Sequence, residues 1–236
     1  MCIIAVCRDR KLTDLEIWYC WINNPDGAGF AWAEKNHHTF SKGYMKYNEF
    51  LAAYQQINIF PHVVHFRTSS SGAIIPELTH PFVCSEIVPT NIEWTGKESL
   101  LFHNGVIVGW EMMARLFGID PLDPNWSDTR LLSLILSNYT FENIVEPEKK
   151  GRFVILSDGI FRVSGEFEDH NGILFSNTGY KETLYYEYYV VTPEGNKHKY
   201  RKKKSRNIQH HGNGPKAKSW GPEQPGHNRN YSQYVI

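Results

Sequence analysis

Short apolar runs separated by turn-forming residues dominate the hydrophobic pattern of this chain. Runs rich in β-branched and aromatic residues predict strands at 2–7, 28–34, 38–43, 62–66 and 100–102. Apolar positions at helical spacing predict helices at 13–21, 47–57, 111–117 and 129–136. Between 152 and 176 the pattern predicts strand, turn, strand, with Asp158-Gly159 and Asn171-Gly172 as hairpin signals.

The order of these elements predicts the fold class. Thr13 and Glu16 form a T-x-x-E capping box, which marks the start of the first helix. Strands are interleaved with helices that come in groups, and no internal repeat occurs. This pattern favours a sheet-on-sheet core flanked by helices over a doubly wound parallel sheet. We therefore expect an α+β fold.

The formal net charge of zero conceals an uneven distribution. Residues 195–236 carry ten Lys and Arg residues and one acidic residue, Glu223, whereas residues 1–194 carry 15 basic and 24 acidic residues. We expect residues 2–194 to form the globular domain and residues 195–236 a largely disordered basic tail, because the tail lacks apolar periodicity. Such a tail suits contact with nucleic acid or an acidic partner, although a short basic run is more often only a solvated end.

Composition excludes several classes of protein. No stretch of roughly 18 or more apolar residues and no charged segment before an N-terminal apolar run occurs, so neither a membrane span nor a signal peptide is indicated. This predicts a cytoplasmic location. Four cysteines in 236 residues are too sparse for a disulfide-stapled scaffold, which favours reduced thiols. Cys2-x4-Cys7 has no second pair at ligand spacing, so a zinc site is the least favoured hypothesis, and we expect no metal and no cofactor.

Cys2 is the most informative candidate for chemistry, because it directly follows Met1 and begins an apolar run. Removal of Met1 would leave one residue with both a thiol and an α-amine. An α-amine titrates at roughly 7.7–8.0, so it can accept the thiol proton and act as the base for a Cys nucleophile. The alternative is that Cys2 is a small buried residue at the start of a strand, which explains its position without any catalytic role.

Asn104-Gly105 is a candidate oxyanion hole. An Asn amide and a backbone N–H at a strand end are suitable donors for the negative charge that develops on a carbonyl oxygen under thiolate attack. The alternative is a type I′ hairpin turn, for which Asn-Gly is the strongest sequence signal. The turn 25–29, Pro-Asp-Gly-Ala-Gly, is too short for a phosphate loop and is better explained as a tight turn that lines a pocket.

Arg67 and Asp128 carry opposite charges at the ends of predicted elements. A guanidinium at a strand end suits bidentate binding of a carboxylate, and Asp128 at a helix start could bind an ammonium group. Together they would bind both charged ends of a free α-amino acid. For Asp128 the plain alternative is a helix cap, since Ser and Asp are common caps.

These segments occur in the order found in class II glutamine amidotransferase domains. The matching motifs are Cys2 behind Met1, N-P-D-G-A-G-F at 24–30, H-F-R-T at 65–68, T-H-P-F at 79–82, F-H-N-G at 102–105 and S-D-T at 127–129. The chain thus resembles the glutaminase half of asparagine synthetase, glucosamine-6-phosphate synthase and amidophosphoribosyltransferase, and looks closest to small stand-alone members. The resemblance covers roughly residues 2–180.

The resemblance implies an N-terminal nucleophile (Ntn) hydrolase fold, in which two stacked antiparallel sheets lie between helical layers. By position, Cys2 matches the nucleophile and its freed amine the base, while Asn104 and Gly105 match the oxyanion hole. The implied reaction is attack on the glutamine carboxamide, release of ammonia and hydrolysis of the thioester to glutamate.

The resemblance also implies a substrate site. Arg67 matches the residue that binds the α-carboxylate of glutamine, and Asp128 matches the group that binds its α-amine. Thr68 and His80 correspond to loop residues near the pocket. The chain departs from the larger enzymes after Arg67, where Thr-Ser-Ser-Ser-Gly replaces aromatic-Ala-Thr-His-Gly. No sequence remains for a synthase domain, so we expect a separate synthetase or amidoligase to accept the ammonia.

Two other functions remain open from the sequence. An Ntn hydrolase could cleave another amide, since only Arg67 and Asp128 indicate an amino-acid substrate. A catalytically idle subunit could use the fold and the basic tail to bind nucleic acid or a partner, but this would leave the matched polar residues unexplained.

Overall fold

The computed structural model describes residues 1–139 and 151–181, and the backbone of two further strands, Leu184–Val191 and Lys197–Lys204. The chain divides into two compact units after Lys181. Four helices of the first unit are α1 Asp14–Asn23, α2 Tyr47–Gln55, α3 Trp110–Leu116 and α4 Asp128–Ile135. Its strands are β1 Ile3–Cys7, β2 Ala28–Glu34, β3 His37–Tyr44, β4 His62–Phe66, β5 Phe82–Val83, β6 Glu93–Gly96, β7 Leu100–Asn104, β8 Arg152–Ser157, β9 Ile160–Ser164, β10 Glu168–His170 and β11 Ile173–Phe175.

Two antiparallel sheets form the centre of the first unit. One has seven strands in the order β10-β11-β1-β4-β2-β3-β6, and the other has four in the order β5-β7-β8-β9. One apolar cluster, which includes Ile4, Val63 and Phe102, lies between the sheets. A second packs the large sheet against α1 and α2, and a third packs the small sheet against α3 and α4. The predicted α+β sandwich of two antiparallel sheets flanked by helices is therefore confirmed.

Strand β1 shows why its sequence is apolar throughout. Successive side chains of a strand point to opposite faces, so Ile3 and Ala5 join the cluster beneath the helices while Ile4 and Val6 face the second sheet. All five residues of the strand are buried, and full burial of an Ile side chain contributes about 1.5–3 kcal/mol. The apolar run that follows Cys2 is thus explained by burial on both faces.

Register brings distant parts of the chain to the start of β1. In the antiparallel pair of β1 and β4, Ile3 lies opposite Phe66, so the residue before β1 meets the residues after β4. On the other side β1 pairs with β11, and the residue after that strand, Ser176, donates its N–H to Ile4 O over 2.9 Å. Cys2, Arg67 and Ser176 are therefore neighbours because of strand pairing.

Asn104 and Gly105 do not form a hairpin turn. Asn104 ends β7, which pairs with β5 and β8, and the chain then continues to α3. The strands β5 and β6, of two and four residues, and the short 3₁₀ turns Pro76–Leu78 and Thr178–Tyr180 have no counterpart among the predicted elements.

The second unit contains a two-stranded antiparallel sheet of Leu184–Val191 and Lys197–Lys204, in which Leu184 lies opposite Lys204. The basic strand Lys197–Lys204 lies within the predicted tail, and the division of the chain at 194/195 stays a prediction. The remainder of the predicted tail, residues 205–236, lies outside the described residues.

No helix within the described ranges is long and apolar enough to cross a membrane.

Candidate active site

The Cys2 thiol lies against the backbone of Thr68. Its Sγ accepts a hydrogen bond from Thr68 N–H and donates one to Thr68 O, each over 3.3 Å. The Cys2 carbonyl accepts a bond from Asn177 Nδ2 over 2.6 Å, and the Thr68 hydroxyl donates to Asn24 Oδ1 over 2.9 Å. These hydrogen bonds fix the positions of Cys2, the candidate nucleophile, and of Thr68, which contacts its thiol.

Burial raises the pKa of the Cys2 thiol above its ordinary value, because an apolar environment disfavours the thiolate. The Thr68 N–H, the N-terminal positive charge and Arg67 act in the opposite direction, whereas the negative charge of Asp128 adds to the rise. A buried thiol of this kind is a weak nucleophile until a base removes its proton.

A small cleft, partly open to solvent, lies in front of the thiol. Six residues expected at the site line it together: Cys2, Arg67, Thr68, His80, Gly105 and Asp128. It is completed by Ser70, Ser71, His103, Ser127 and Thr129. The turn 25–29 does not line this cleft. It supports Arg67 instead, since Asp26 N–H donates to Arg67 O and Arg67 N–H donates to Gly27 O.

Arg67 is almost fully buried, and its guanidinium binds residues 68–73, which we call the cleft loop. Its NH1 donates to Ala73 O over 2.7 Å, and its NH2 donates to Ser71 O over 3.0 Å and Ser69 Oγ over 3.1 Å. Burial lowers the pKa of Arg67, and the acidic groups nearby oppose that effect. A guanidinium titrates far above neutrality, so Arg67 remains a cation in the cleft.

Asp128 is the first residue of α4 and is also buried. Its Oδ1 accepts from the Ser71 hydroxyl over 2.9 Å and from Thr129 N–H over 2.8 Å, and its Oδ2 accepts from Ile107 N–H over 3.0 Å. The helix cap is the neighbouring Ser127, whose hydroxyl accepts from Arg130 N–H. Asp128 is therefore not the cap residue, and its carboxylate is directed to the cleft loop and the cleft.

Asn104 and Gly105 lie differently with respect to the cleft. Gly105 lines it, whereas Asn104 is fully buried behind it. The Asn104 Nδ2 atom lies 2.8 Å from Ser176 Oγ, and Oδ1 has no hydrogen-bond partner among the described residues.

Three histidines form a buried cluster at the back of the cleft. The His80 ring stacks on the His65 ring with centroids 3.9 Å apart. His65 Nε2 bonds to the His103 carbonyl, and His103 Nδ1 lies 2.9 Å from the Thr129 hydroxyl. Burial lowers the pKa of His65 to about 3 and of His103 to about 4, and lowers the pKa of His80 as well. The cluster is therefore uncharged near neutral pH.

The close packing around His80 also explains a glycine of the N-P-D-G-A-G-F motif. A Cβ atom on Gly29 would lie 2.3 Å from the His80 carbonyl oxygen and 2.5 Å from Lys42 Cβ. Real Cβ atoms do not approach other atoms so closely, so this strand needs a residue without a side chain.

Sequence reasoning missed Ser71, Ser176, Asn177 and His103 as contacts of the site. Ser71 lies in a serine-rich loop that the sequence does indicate, and His103 precedes Asn104 in the F-H-N-G motif. Ser176 and Asn177 follow β11 without any local signal. Among residues that the structure describes, no group of three or more His, Cys, Asp and Glu side chains is arranged to hold a metal ion.

Comparisons with known proteins place the fold. No protein-family model matches the chain, and no curated protein matches it in sequence. Similar solved structures include glutamine phosphoribosylpyrophosphate amidotransferase from B. subtilis complexed with ADP and GMP, and an allosteric regulatory enzyme of purine biosynthesis. The TM-score is 0.51 for both, with 15% and 16% sequence identity over 88% of this chain. The chain spans about half the length of each, with 50% of either covered. At this level of identity the likeness shows the fold alone: the chain shares the sandwich of two antiparallel sheets flanked by helices with these structures.

Proposed function

We propose that this protein is the glutaminase component of a class II glutamine amidotransferase, and that it hydrolyses glutamine to glutamate and ammonia through a thioester on Cys2. The observation that supports this proposal is the convergence of Cys2, Arg67, Gly105 and Asp128 on one cleft. They come from four separate segments of the chain, and together they offer a thiol, a cation, a backbone donor and an anion.

The α-amine of Cys2 is the proposed base, which requires that Met1 be removed. Met1 is 77% exposed, so an aminopeptidase can reach it. The freed amine takes the thiol proton, and the thiolate attacks the carboxamide carbon of glutamine. As the C–N bond breaks, the protonated amine returns its proton to the leaving nitrogen, and ammonia departs. Water then attacks the thioester carbon, which releases glutamate and restores the thiol.

The charge pair of the cleft supports a free α-amino acid as substrate. Arg67 and Asp128 have opposite charges and border the same cleft, so they suit the α-carboxylate and the α-ammonium group of glutamine. Both groups bind the cleft loop in this structure. Substrate binding therefore replaces hydrogen bonds to neutral loop groups by bonds to charged groups of the substrate. Thr68 and His80 line the cleft beside them.

Negative charge develops on the carboxamide oxygen when the tetrahedral intermediate forms. Gly105 N–H and the Asn104 amide are the proposed donors to that oxygen, and each donor of this type contributes about 2.7–4 kcal/mol to transition-state stabilisation. The buried setting of Asn104 strengthens its bond, because water does not compete for that donor.

We propose that a separate synthetase or amidoligase consumes the ammonia, as in a stand-alone glutaminase component. The described part of the chain contains one sandwich of two antiparallel sheets and one two-stranded sheet. The basic strand Lys197–Lys204 and the residues beyond it are the proposed contact with the acceptor enzyme, or with nucleic acid if the acceptor is bound to it.

A glutamate-release assay tests the proposed function. We expect intact-mass analysis to show the loss of Met1, the protein to release glutamate from glutamine, and Cys2→Ala to abolish the release. A glutamine-like electrophile should label the protein at Cys2 only, and Cys84→Ala, which removes a buried thiol that does not line the cleft, should be labelled like the wild type. Retention of Met1 in an active protein would overturn the proposal. Hydrolysis of simple amides without preference for glutamine would favour a different amide substrate.

A further inference from the structure

The hydroxyl of Ser176 joins the strand that carries the nucleophile to the Asn104 side chain. Ser176 is almost fully buried and follows β11. Its Oγ accepts a hydrogen bond from Ile4 N–H over 2.8 Å, two residues after Cys2, and lies 2.8 Å from the Asn104 amide. A single hydroxyl therefore contacts both the Cys2 strand and the residue proposed for the oxyanion hole.

The orientation of the Asn104 amide determines whether Oδ1 or Nδ2 forms the hydrogen bond with Ser176, and which of the two has no partner among the described residues. With Nδ2 directed at Ser176, the hydroxyl accepts two bonds, its own proton has no acceptor, and Oδ1 is buried without a partner among the described residues. A rotation of 180° about the last side-chain bond exchanges Oδ1 and Nδ2, which have nearly the same size. The Ser176 hydroxyl then donates to Oδ1 while it still accepts from Ile4 N–H, and no buried acceptor is left unpaired.

In the rotated orientation the N–H groups without a partner both belong to Asn104 Nδ2. Unpaired donors are costly in a folded core, and they persist where a ligand or a transition state supplies the acceptor. The Ile4 N–H is compatible with this arrangement, because it occupies one lone pair of Ser176 Oγ and leaves the hydroxyl proton free to point at Asn104 Oδ1. The hydroxyl that pairs with the β1 backbone thus also contacts a side chain on β7.

We propose that Ser176 is a positioning residue, whose hydroxyl donates to Asn104 Oδ1 and so directs the Asn104 NH₂ group to the oxygen of the substrate carboxamide. This inference rests on the proposed glutaminase function. It makes Ser176 important for the rate of the chemical step and not for the binding of glutamine, since the donors bond to the oxyanion more strongly than to the ground-state carbonyl.

Kinetics of Ser176→Ala test this role. We expect kcat for glutamate release to fall by about 10- to 100-fold, because a misdirected donor forfeits most of the 10²- to 10³-fold that one oxyanion donor provides. The KM for glutamine should stay within about threefold, and the rate of Cys2 alkylation by iodoacetamide, which needs no oxyanion donor, should be unchanged. Ser133→Ala is the matched control, since Ser133 is fully buried and donates only to Arg130 O on its own helix.

A double-mutant cycle separates positioning from general damage to the fold. In an Asn104→Ala background, Ser176→Ala should lower kcat by no more than about twofold, because the group that it directs is gone. A full multiplicative loss in that background would overturn the inference, and so would an unchanged kcat in the single variant. A fall in alkylation rate equal to the fall in kcat would show that Ser176 acts through Cys2 and would likewise overturn it.

Neutron diffraction reads the amide orientation without any reference to activity, because nitrogen, oxygen and deuterium scatter differently. We expect a deuterium on Ser176 Oγ directed at Asn104 Oδ1, and two deuteriums on Nδ2. The opposite orientation would overturn the inference even in a protein that hydrolyses glutamine. A third outcome is the expected amide orientation in a protein that releases no glutamate. That result would support the hydrogen bond from Ser176 to Asn104 Oδ1, but it would overturn both the proposed function and the catalytic role assigned to Ser176.

Discussion

The Ser71 hydroxyl donates a hydrogen bond to Asp128 Oδ1 over 2.9 Å and accepts one from Asp128 N–H over 3.2 Å. Arg67 holds the same cleft loop through the carbonyls of Ser71 and Ala73. The two charged groups proposed to bind substrate are thus occupied by the protein's own loop. Substrate must compete with that loop, and the competition sets part of its affinity.

Replacement of Ser71 by Ala should therefore tighten substrate binding. We expect the KM for glutamine to fall by about three- to tenfold with little change in kcat, because loss of a hydrogen bond of about 1 kcal/mol frees the Asp128 carboxylate for an ammonium group. Steady-state kinetics measure the effect. Ser70→Ala is the matched control, since Ser70 lines the cleft without a described bond to Asp128. A higher KM in Ser71→Ala would show that Ser71 holds Asp128 in place for the substrate.

The pH dependence of Cys2 alkylation should report the charges of the cleft. Because burial raises the pKa of the thiol, the rate of reaction with iodoacetamide in protein that retains Met1 should rise with pH to a midpoint above the ordinary value of about 8.5. Asp128 raises this pKa and Arg67 lowers it. Asp128→Asn should therefore shift the midpoint to lower pH and Arg67→Gln to higher pH. Shifts of both variants in one direction would indicate that a change in loop structure, and not charge, controls the thiol.

Buried histidines should make the fold sensitive to acid. Burial lowers the pKa of His62 to about 4, whereas an unfolded His titrates near 6.5. The unfolded state therefore binds more protons between these values, and stability is lost as pH falls from about 6.5 to about 4, by up to about 3 kcal/mol for this residue. Urea unfolding at several pH values measures the loss.

His62→Gln should flatten this dependence, since a Gln amide can still accept the Tyr54 hydroxyl but does not titrate. The exposed His37 provides the control, and His37→Gln should lose stability in parallel with the wild type. Equal losses in all three proteins would contradict the assignment to His62. His65 and His103, whose pKa values are also lowered by burial, should account for the acid sensitivity that remains in His62→Gln.

Local sequence signals account for much of the secondary structure. The capping box of α1 is present in both directions, with Glu16 N–H donating to Thr13 Oγ1 and Thr13 N–H donating to the Glu16 carboxylate. Asp158 and Asn171 have the positive φ angles that their hairpin turns require. These features depend on residues a few positions apart, so the amino-acid types are sufficient to predict them.

The conformations of the shortest strands and of the Asn104-Gly105 segment depend on distant parts of the chain and not on neighbouring residues. Strand β5 has two residues, and it exists because Phe82 and Val83 pair with β7. Asn-Gly favours a hairpin turn in isolation, yet pairing of β7 with β8 across more than forty residues leaves Asn104 as the end of a strand. Non-local hydrogen bonding overrides a local preference of this size.

The sequence by itself determined the kinds of residue at the site: a thiol behind Met1, an arginine after a strand, an Asn-Gly pair and an aspartate at a helix start. Their catalytic and binding roles stay predictions. Only the tertiary structure decided that six of the seven expected residues share one cleft while Asn104 lies behind it. It also decided that Ser71 and Asn177 contact Asp128 and Cys2 across 57 and 175 positions. The reason is physical: such contacts follow from the register of paired strands, and register depends on the packing of the whole sandwich.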